Sequence, residues 1–194
     1  MQRRTLDRLL SWLGLTLAVI LVVAGSLLVW GHNFISNEVR TQLTEQQIYF
    51  PTEAAAAAVK LDFAPFSQYA GQQLTTGAQA KTYADDVIAP QLKAVGGGKS
   101  YAQLSAQARA NPTDVRLAAT LEPAFKLETA RGLLFNAYAF DTMGTLGGIG
   151  AVVAFISAGL MLLLSALGLW HSRRVASKET GSPGQSERAP ADAS

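Results

Sequence analysis

Two long stretches of the chain contain no charged side chain. No Asp, Glu, Lys or Arg lies between Arg8 and Glu38, and the segment 9–30 is dominated by Leu, Val and Ala. A second charge-free run covers 142–170. An α-helix rises about 1.5 Å per residue, so about 20 apolar residues cross the hydrocarbon core of a bilayer. The pattern therefore predicts two transmembrane helices, at 9–30 and 142–170.

Basic residues lie before the first predicted span and after the second, on the sides that face away from the intervening segment. They are Arg3, Arg4 and Arg8 before the first span, and Arg173, Arg174 and Lys178 after the second. The ends that face the intervening loop carry charges of both signs. Because cytoplasmic flanks are enriched in Lys and Arg, we expect a multi-pass plasma-membrane protein with residues 1–8 and 171–194 both in the cytoplasm. The tail 171–194 is rich in Ser, Pro, Gly and Ala, and we expect it to be disordered.

A cleaved signal peptide is the alternative interpretation of the first apolar run. The residues from Val22 to Ala24 loosely resemble a cleavage site that follows a basic start. The apolar core of a signal peptide usually has about 7 to 15 residues, whereas this run continues to Trp30. We therefore expect an uncleaved signal anchor.

The segment between the spans, 31–141, has the composition of a folded domain. It holds twelve of the sixteen aromatic residues, and its aliphatic residues recur at helical spacing. Such side chains can offset the conformational entropy lost on folding. The predicted fold class is an all-α membrane protein, in which two transmembrane helices flank an extracytoplasmic helical bundle domain.

Helix boundaries within this domain follow from proline, glycine and capping residues. A stalk helix that carries Ile35, Val39 and Leu43 should end before Pro51. A second helix should begin near Gly77, kink at Pro90 and end at the triplet 96–98. Ser100 should cap the next helix, and Asn111-Pro112 with Asp114 should mark the start of the one after it. Pro123 is predicted to begin a further helix. Its apolar stripe consists of Leu127, Ala130, Leu134 and Ala137.

Candidate chemical motifs in the domain are weak. Gly98-Lys99-Ser100 lacks the glycine five residues earlier that a phosphate-binding loop needs, so a helix-breaking loop with a cap is favoured. The adjacent pair Asp85-Asp86 has no surrounding loop of alternating acidic ligands, which favours a solvated helix face over a calcium site. Surface ion pairs are predicted for Glu122 with Lys126 and for Glu128 with Arg131.

Histidine and cysteine counts restrict catalysis further. The chain has no cysteine, and its two histidines, His32 and His171, are predicted to lie at opposite faces of the membrane. They could not share a metal or form a Ser-His-Asp arrangement within the domain. We therefore predict no catalytic, cofactor-binding or metal-binding residues. The net charge of +2 is too small and dispersed to indicate a nucleic-acid partner.

Small residues along the spans predict close helix packing. Gly14 and Ala18 lie four residues apart in the first span, and the second carries Gly144, Gly148, Gly150, Ala154 and Ala158. Such faces let helix backbones approach each other. Packing of the two spans of one chain and formation of a homo-oligomer are equally compatible with this pattern.

Several short motifs are spread along the segment 31–141. They are Gln46-Gln47-Ile48, Phe50-Pro51, Tyr69-Ala70-Gly71-Gln72, Thr75-Thr76-Gly77, Tyr83-Ala84-Asp85, Gly97-Gly98-Lys99-Ser100-Tyr101 and Leu133-Leu134-Phe135-Asn136-Ala137-Tyr138. In these motifs the chain resembles a family of uncharacterised actinobacterial two-pass membrane proteins. The resemblance implies a plasma-membrane location and no particular mechanism. Some members are labelled aromatic ring-opening dioxygenases, a label that the histidine count does not support.

The leading hypothesis is a non-enzymatic membrane protein whose outer domain binds a protein or a component of the cell envelope. The lipid bilayer is one expected partner, and a membrane or envelope protein is another. A sensor-like receptor is the first alternative, since receptors use two spans around a helical outer domain. Its cytoplasmic segments are too short for an output domain, so it would act through a partner protein. An envelope enzyme that uses only carboxylates is the second, although spacing nominates no acidic pair.

Overall fold

The computed structural model describes residues 2–179, with side chains for residues 9–170. Helix accounts for 83% of the structure, and no strand occurs within the described residues. The helices are α1 (Gln2–Glu45), α2 (Glu53–Ala58), α3 (Gly77–Thr82), α4 (Ala89–Gly96), α5 (Tyr101–Ala110) and α6 (Val115–Glu179), with a 3₁₀ turn at Ala64–Tyr69 and a π-helical segment at Tyr83–Ile88. The all-helical prediction is confirmed at this level.

Two of the helices are long and apolar enough to cross a membrane. The candidate segments are Leu9–Glu45 in α1 and Val115–Trp170 in α6. In each, only 11% of the most apolar stretch is buried within the protein, whereas the core helix of a soluble protein is mostly buried. Helix α6 continues beyond Arg174 to Glu179, and the rest of the predicted disordered tail lies outside the described residues.

The chain divides into two compact units. One consists of residues 1–27 and 150–194, and the other of residues 28–149. In the first unit, α1 and α6 run antiparallel, since Ser11 lies against Gly168, Gly14 against Ser165 and Gly25 against the ring of Phe155.

Small buried residues line this helix pair at intervals of three, four or seven positions. They are Ser11 and Ala18 on α1, and Ala151, Ala154, Ala158 and Ser165 on α6. A Cβ atom on Gly25 would lie 3.1 Å from the Phe155 ring, so a larger residue there would require the ring to shift by a few tenths of an ångström. The small-residue faces of α1 and α6 thus pack against each other within one chain.

The unit 28–149 has its own hydrophobic core, centred on Phe50. Its ring lies 5.1 Å from that of Tyr69 and 5.2 Å from that of Tyr83, measured between centroids. The other core residues include Val39 and Leu43 from α1 and Leu134 from α6. After α1 the chain reverses and forms an isolated antiparallel bridge between Tyr49 and Gln73. Backbone N–H groups of Phe50 and Leu74 donate across this bridge to Gln72 and Ile48.

The break predicted at Pro90 takes the form of the π-helical segment that precedes it. Proline has no N–H to donate to the preceding turn, and the N–H of Ala89 donates to the carbonyl of Ala84, five residues back. The start at Gly77 is confirmed, with Thr76 as the capping residue. The predicted end is confirmed as well, because Gly97 and Gly98 adopt φ of 59° and 81°.

The boundary predictions for α5 and α6 have one error. Ser100 caps α5 in a capping box with Gln103, and Asp114 accepts the Leu117 N–H at 3.0 Å at the start of α6. The prediction that Pro123 begins a separate helix is wrong, because Pro123 lies inside α6. Just beyond Pro123, the Phe125 ring of α6 packs on Tyr101 of α5 with centroids 5.2 Å apart.

Candidate functional site

A groove of about 440 Å³ runs between the C-terminal part of α1 and the middle of α6, within the unit 28–149. We call it the α1/α6 groove. Its lining residues are Phe34, Ile35, Glu38, Val39, Gln42, Leu43 and Gln46 on the α1 side, and Leu133, Leu134, Asn136, Ala137, Phe140 and Met143 on the α6 side. Its volume lies within the range of small-molecule binding sites, about 300 to 1,000 Å³.

Helical periodicity explains how each wall divides between core and groove. On α1, Val39 and Leu43 are buried in the core while Glu38 and Gln42, one position earlier in each case, face outward. On α6, Leu134 is buried and its neighbour Leu133 is exposed. Each helix therefore contributes an apolar floor and an exposed rim to the same groove.

Large apolar side chains remain exposed along the groove. Phe34, Leu133, Phe140 and Met143 are each more than half exposed. Single exposed apolar residues are ordinary, but a contiguous set around a concavity is typical of a binding site. The groove is thus the strongest candidate site in the described part of the chain.

The polar residues of the groove form a row along the α1 wall, Glu38, Gln42 and Gln46, with Asn136 on the α6 wall. The amide of Gln42 donates to a carboxylate oxygen of Glu38 at 2.7 Å, and Gln46 and Asn136 add two further amides. The α6 wall is mostly apolar along its length, from Leu133 and Leu134 to Phe140 and Met143. None of the lining side chains is a Lys or Arg.

A second cluster forms around Asp85. Its carboxylate binds Lys81 at 2.5 Å and Arg131 at 3.1 Å, so it links the π-helical segment to α6. The hydrogen bond from Lys81, supported by Arg131, holds the pKa of Asp85 below its usual value, and the same bond raises the pKa of Lys81. The sequence interpretation as a solvated helix face therefore misses an ion-pair network.

The pKa of the neighbouring Asp86 is shifted in the opposite direction to that of Asp85. Burial, together with repulsion from Asp85, raises the pKa of its carboxyl group. Burial also raises the pKa of Tyr83. No group of three or more His, Cys, Asp or Glu side chains able to hold a metal occurs among the described residues.

A smaller pocket of about 350 Å³ lies where the α4–α5 loop meets α6. Its charged lining residues are Lys93, Lys99, Glu128 and Arg131. Three of them already have partners: Lys99 donates to Gln107, Arg131 to Asp85, and Glu128 accepts the Tyr101 N–H at 2.7 Å. The Tyr101–Glu128 bond links the start of α5 to α6, and the Arg131–Asp85 pair links α6 to the π-helical segment.

The two predicted surface ion pairs have different outcomes. Lys126 and Glu122 pair at 2.6 Å, as predicted. The prediction of a Glu128–Arg131 pair is wrong, because each partner is drawn away by a residue distant in sequence: Glu128 caps α5 and Arg131 binds Asp85. Of the two histidines, His32 donates from Nδ1 to the carbonyl of Gly144 at 2.7 Å, and the side chain of His171 is not among those described.

Comparison with protein-family models, with curated proteins and with solved structures gave no match. The groove is the candidate site that sequence reasoning misses. The available signal is the polar row of Glu38, Gln42 and Gln46, which recurs every four residues beside the buried row that contains Val39 and Leu43. A helix with two such adjacent rows has an exposed polar edge next to its core-facing side.

Proposed function

We propose that this protein is a two-pass plasma-membrane protein with both termini in the cytoplasm. Residues 31–141 form its extracytoplasmic helical domain, which binds a protein or a cell-envelope component without catalysing a reaction. The α1/α6 groove is the binding site. The observation that carries the proposal is the set of exposed apolar residues around this concavity, Phe34, Leu133, Phe140 and Met143.

Charge and length support the membrane arrangement. The charge-free runs coincide with two helices that are long and apolar enough to span a bilayer. The flanks assigned to the cytoplasm carry three basic residues each, whereas the flanks that face the loop carry charges of both signs, such as Glu38 and Arg40.

Reporter fusions test this topology. Alkaline phosphatase, which is active only outside the cytoplasm, should be active when inserted after Gly98 in the α4–α5 loop. It should be inactive when fused before residue 1 or after residue 194, whereas a fluorescent protein that folds only in the cytoplasm should show the reverse pattern. An active phosphatase at either terminus would contradict the proposal.

Site-specific photo-crosslinking tests the groove. A benzoylphenylalanine at Phe140 preserves the aromatic wall and should crosslink in intact cells to one discrete species. The same residue at Val115, which is 79% exposed at the start of α6 and outside the groove, is the control. Equal crosslinking from both positions, or none from Phe140, would count against a binding groove.

A further inference from the structure

We propose that the paired ends of α1 and α6, on the side that the proposed topology places in the cytoplasm, bind the phosphate group of an anionic phospholipid. The residues that bind it are Arg4, Arg8 and Arg173, and we call this the three-arginine site. The inference rests on the membrane part of the proposed function, because it requires both helices to end at a bilayer surface. It does not involve the α1/α6 groove.

The antiparallel register of α1 and α6 brings these arginines from the two helices to one level. Ser11 lies against Gly168, and both helices continue beyond this contact through the arginine positions. Arg8 and Arg4 precede Ser11 by three and seven residues. Arg173 follows Gly168 by five residues. Along the axis of the pair, Arg173 therefore lies midway between the other two arginines, about 3 Å of helical rise from each.

Helical rotation places the three arginines on the same side of the pair. Successive residues turn by about 100°, so Arg8, three residues before the buried Ser11, lies about 60° around α1. Arg173, eight residues after the buried Ser165, lies about 80° around α6 in the same rotational sense. In an antiparallel pair, equal senses of rotation from the contact lead to the same side. Arg4 lies one turn before Arg8, also on this side.

The other charged residues near these helix ends lie elsewhere around the pair. Arg3 lies about 80° from Ser11 in the opposite sense, and Arg174 lies about 180° from Ser165, on the side away from α1. Asp7, the only acidic residue in 1–8, lies about 40° from Ser11 in the opposite sense, and 171–178 contains none. The side with the three arginines therefore carries no carboxylate from these segments.

Two tryptophans indicate the depth of the three-arginine site in the bilayer. Trp12 lies four residues after Arg8, Trp170 lies three residues before Arg173, and their side chains are 62% and 56% exposed. Exposed tryptophans on apolar helices concentrate at the membrane–water interface. The arginines, about one turn further from the hydrocarbon, are thus at the depth of lipid headgroups.

The chemistry of three converging guanidinium groups favours a phosphate-bearing anion. Guanidinium donates paired hydrogen bonds to phosphate and keeps its full charge at any physiological pH. Basic clusters between transmembrane helices on the cytoplasmic side are a recognised means of binding anionic headgroups. The positive-inside rule requires basic residues at these ends but does not require them on one side of the pair. Convergence on one side is therefore the observation that points to a site.

The test uses the full-length protein in nanodiscs with equal amounts of phosphatidylglycerol and phosphatidylcholine of identical acyl chains. Native mass spectrometry of the released protein reports which lipid is retained. We expect one retained phosphatidylglycerol, enriched about a hundredfold, because each arginine near an anionic lipid contributes roughly a fivefold preference. Arg8→Ala combined with Arg173→Ala should reduce the enrichment to about fivefold.

Arg3→Ala combined with Arg174→Ala is the matched control. It removes two charges from the same two helix ends, but from other sides of the pair. We expect the enrichment to stay within about threefold of that of the unmodified protein, because exposed charges away from the site are screened by salt. Circular dichroism should show the same helicity in both double variants.

A second arm distinguishes a lipid headgroup from free phosphate. Sodium phosphate in the buffer should reduce lipid retention no more than sodium chloride at the same ionic strength, because the lipid is confined to the leaflet in which the site lies. If phosphate displaces the lipid as completely as the substitution of Arg8 and Arg173 does, the site recognises free phosphate and the lipid proposal is overturned.

The remaining outcomes separate the inference from the proposed function. Equal losses in the two double variants would show that the arginines act only through total charge, which overturns the site. Equal retention of both lipids by the unmodified protein would overturn it too. If this happens while the phosphatase fusions place both termini in the cytoplasm, only the inference fails. If the fusions place the termini outside and phosphatidylglycerol is still enriched, the proposed topology fails and the site stands.

Discussion

At the scale of single residues, Asp85 is the most informative side chain outside the groove. It binds Lys81 one turn earlier, in α3, and Arg131 on α6, and Arg131 also lies over the Phe135 ring at 4.9 Å. Periodicity predicts the Lys81–Asp85 spacing but not the contact with Arg131, since the two residues are separated by 46 positions. The pair forms only once the tertiary structure is in place.

Asp85→Asn should destabilise the folded protein by about 1 kcal/mol, the upper end for partly exposed ion pairs. The pKa of Asp85 is lowered in the folded state, so its contribution is complete above the ordinary value of 3.8. The contribution is lost as the pH falls through the lower, folded-state pKa. Denaturant unfolding in detergent should therefore separate the variant from the wild type at pH 7, and the difference should vanish at strongly acidic pH.

Glu122→Gln is the matched control, because Glu122 also pairs with a lysine four residues away but both side chains are more than 70% exposed. We expect no measurable change in unfolding at pH 7. An equal effect of the two substitutions would mean that the link between Asp85 and α6 contributes nothing.

At the scale of elements, helix ends were largely predictable because they are determined locally. Ser100 and Asp114 cap their helices with bonds that span three residues, and Gly97 supplies a left-handed conformation. The groove was not predictable in the same way. Its two walls come from residues about one hundred positions apart, and sequence periodicity carries no information on which helices become neighbours.

Ser100→Ala should cost about 1 kcal/mol of unfolding free energy, because it removes the side-chain oxygen that accepts the Gln103 N–H. Ser105→Ala, in the interior of the same helix, makes an equal change in composition without removing a cap. Equilibrium denaturation of both variants is the measurement. If the two substitutions have the same effect, the capping box is not a source of stability for α5.

Pro123→Ala should stabilise the protein by about 2 kcal/mol. Proline in a helix interior costs roughly 3 kcal/mol, and part of the gain is offset because alanine gives the unfolded chain more freedom. The substitution restores a backbone donor inside α6, which is continuous across this position. A higher denaturation midpoint with unchanged helicity is expected. A lower midpoint would indicate that the proline ring itself makes a needed contact.

At the scale of the whole molecule, the small residues of the two long helices raise the question of which partner they face. Composition leaves pairing within one chain and pairing between chains equally open. In the structure, a side chain of the same chain lies against each of Gly14, Gly25 and Gly168. Gly159 has no neighbour within 4 Å of its Cβ position, so it remains accessible to another molecule.

Cysteine crosslinking distinguishes pairing of the helices within one chain from pairing between chains. The chain has no cysteine of its own, so only the introduced thiols can react. A Cβ on Gly168 would lie 4.0 Å from the Cβ of Ser11, within the range for a disulfide of about 3.5 to 4.5 Å. Ser11→Cys combined with Gly168→Cys should therefore form an intramolecular disulfide when isolated membranes are oxidised. On a non-reducing gel, the expected product is a monomer with altered mobility. Ser11→Cys combined with Gly159→Cys is the control and should remain reduced. A product of twice the mass from the first pair would show that these helices meet between chains, because the same small faces would then be pairing with a second copy.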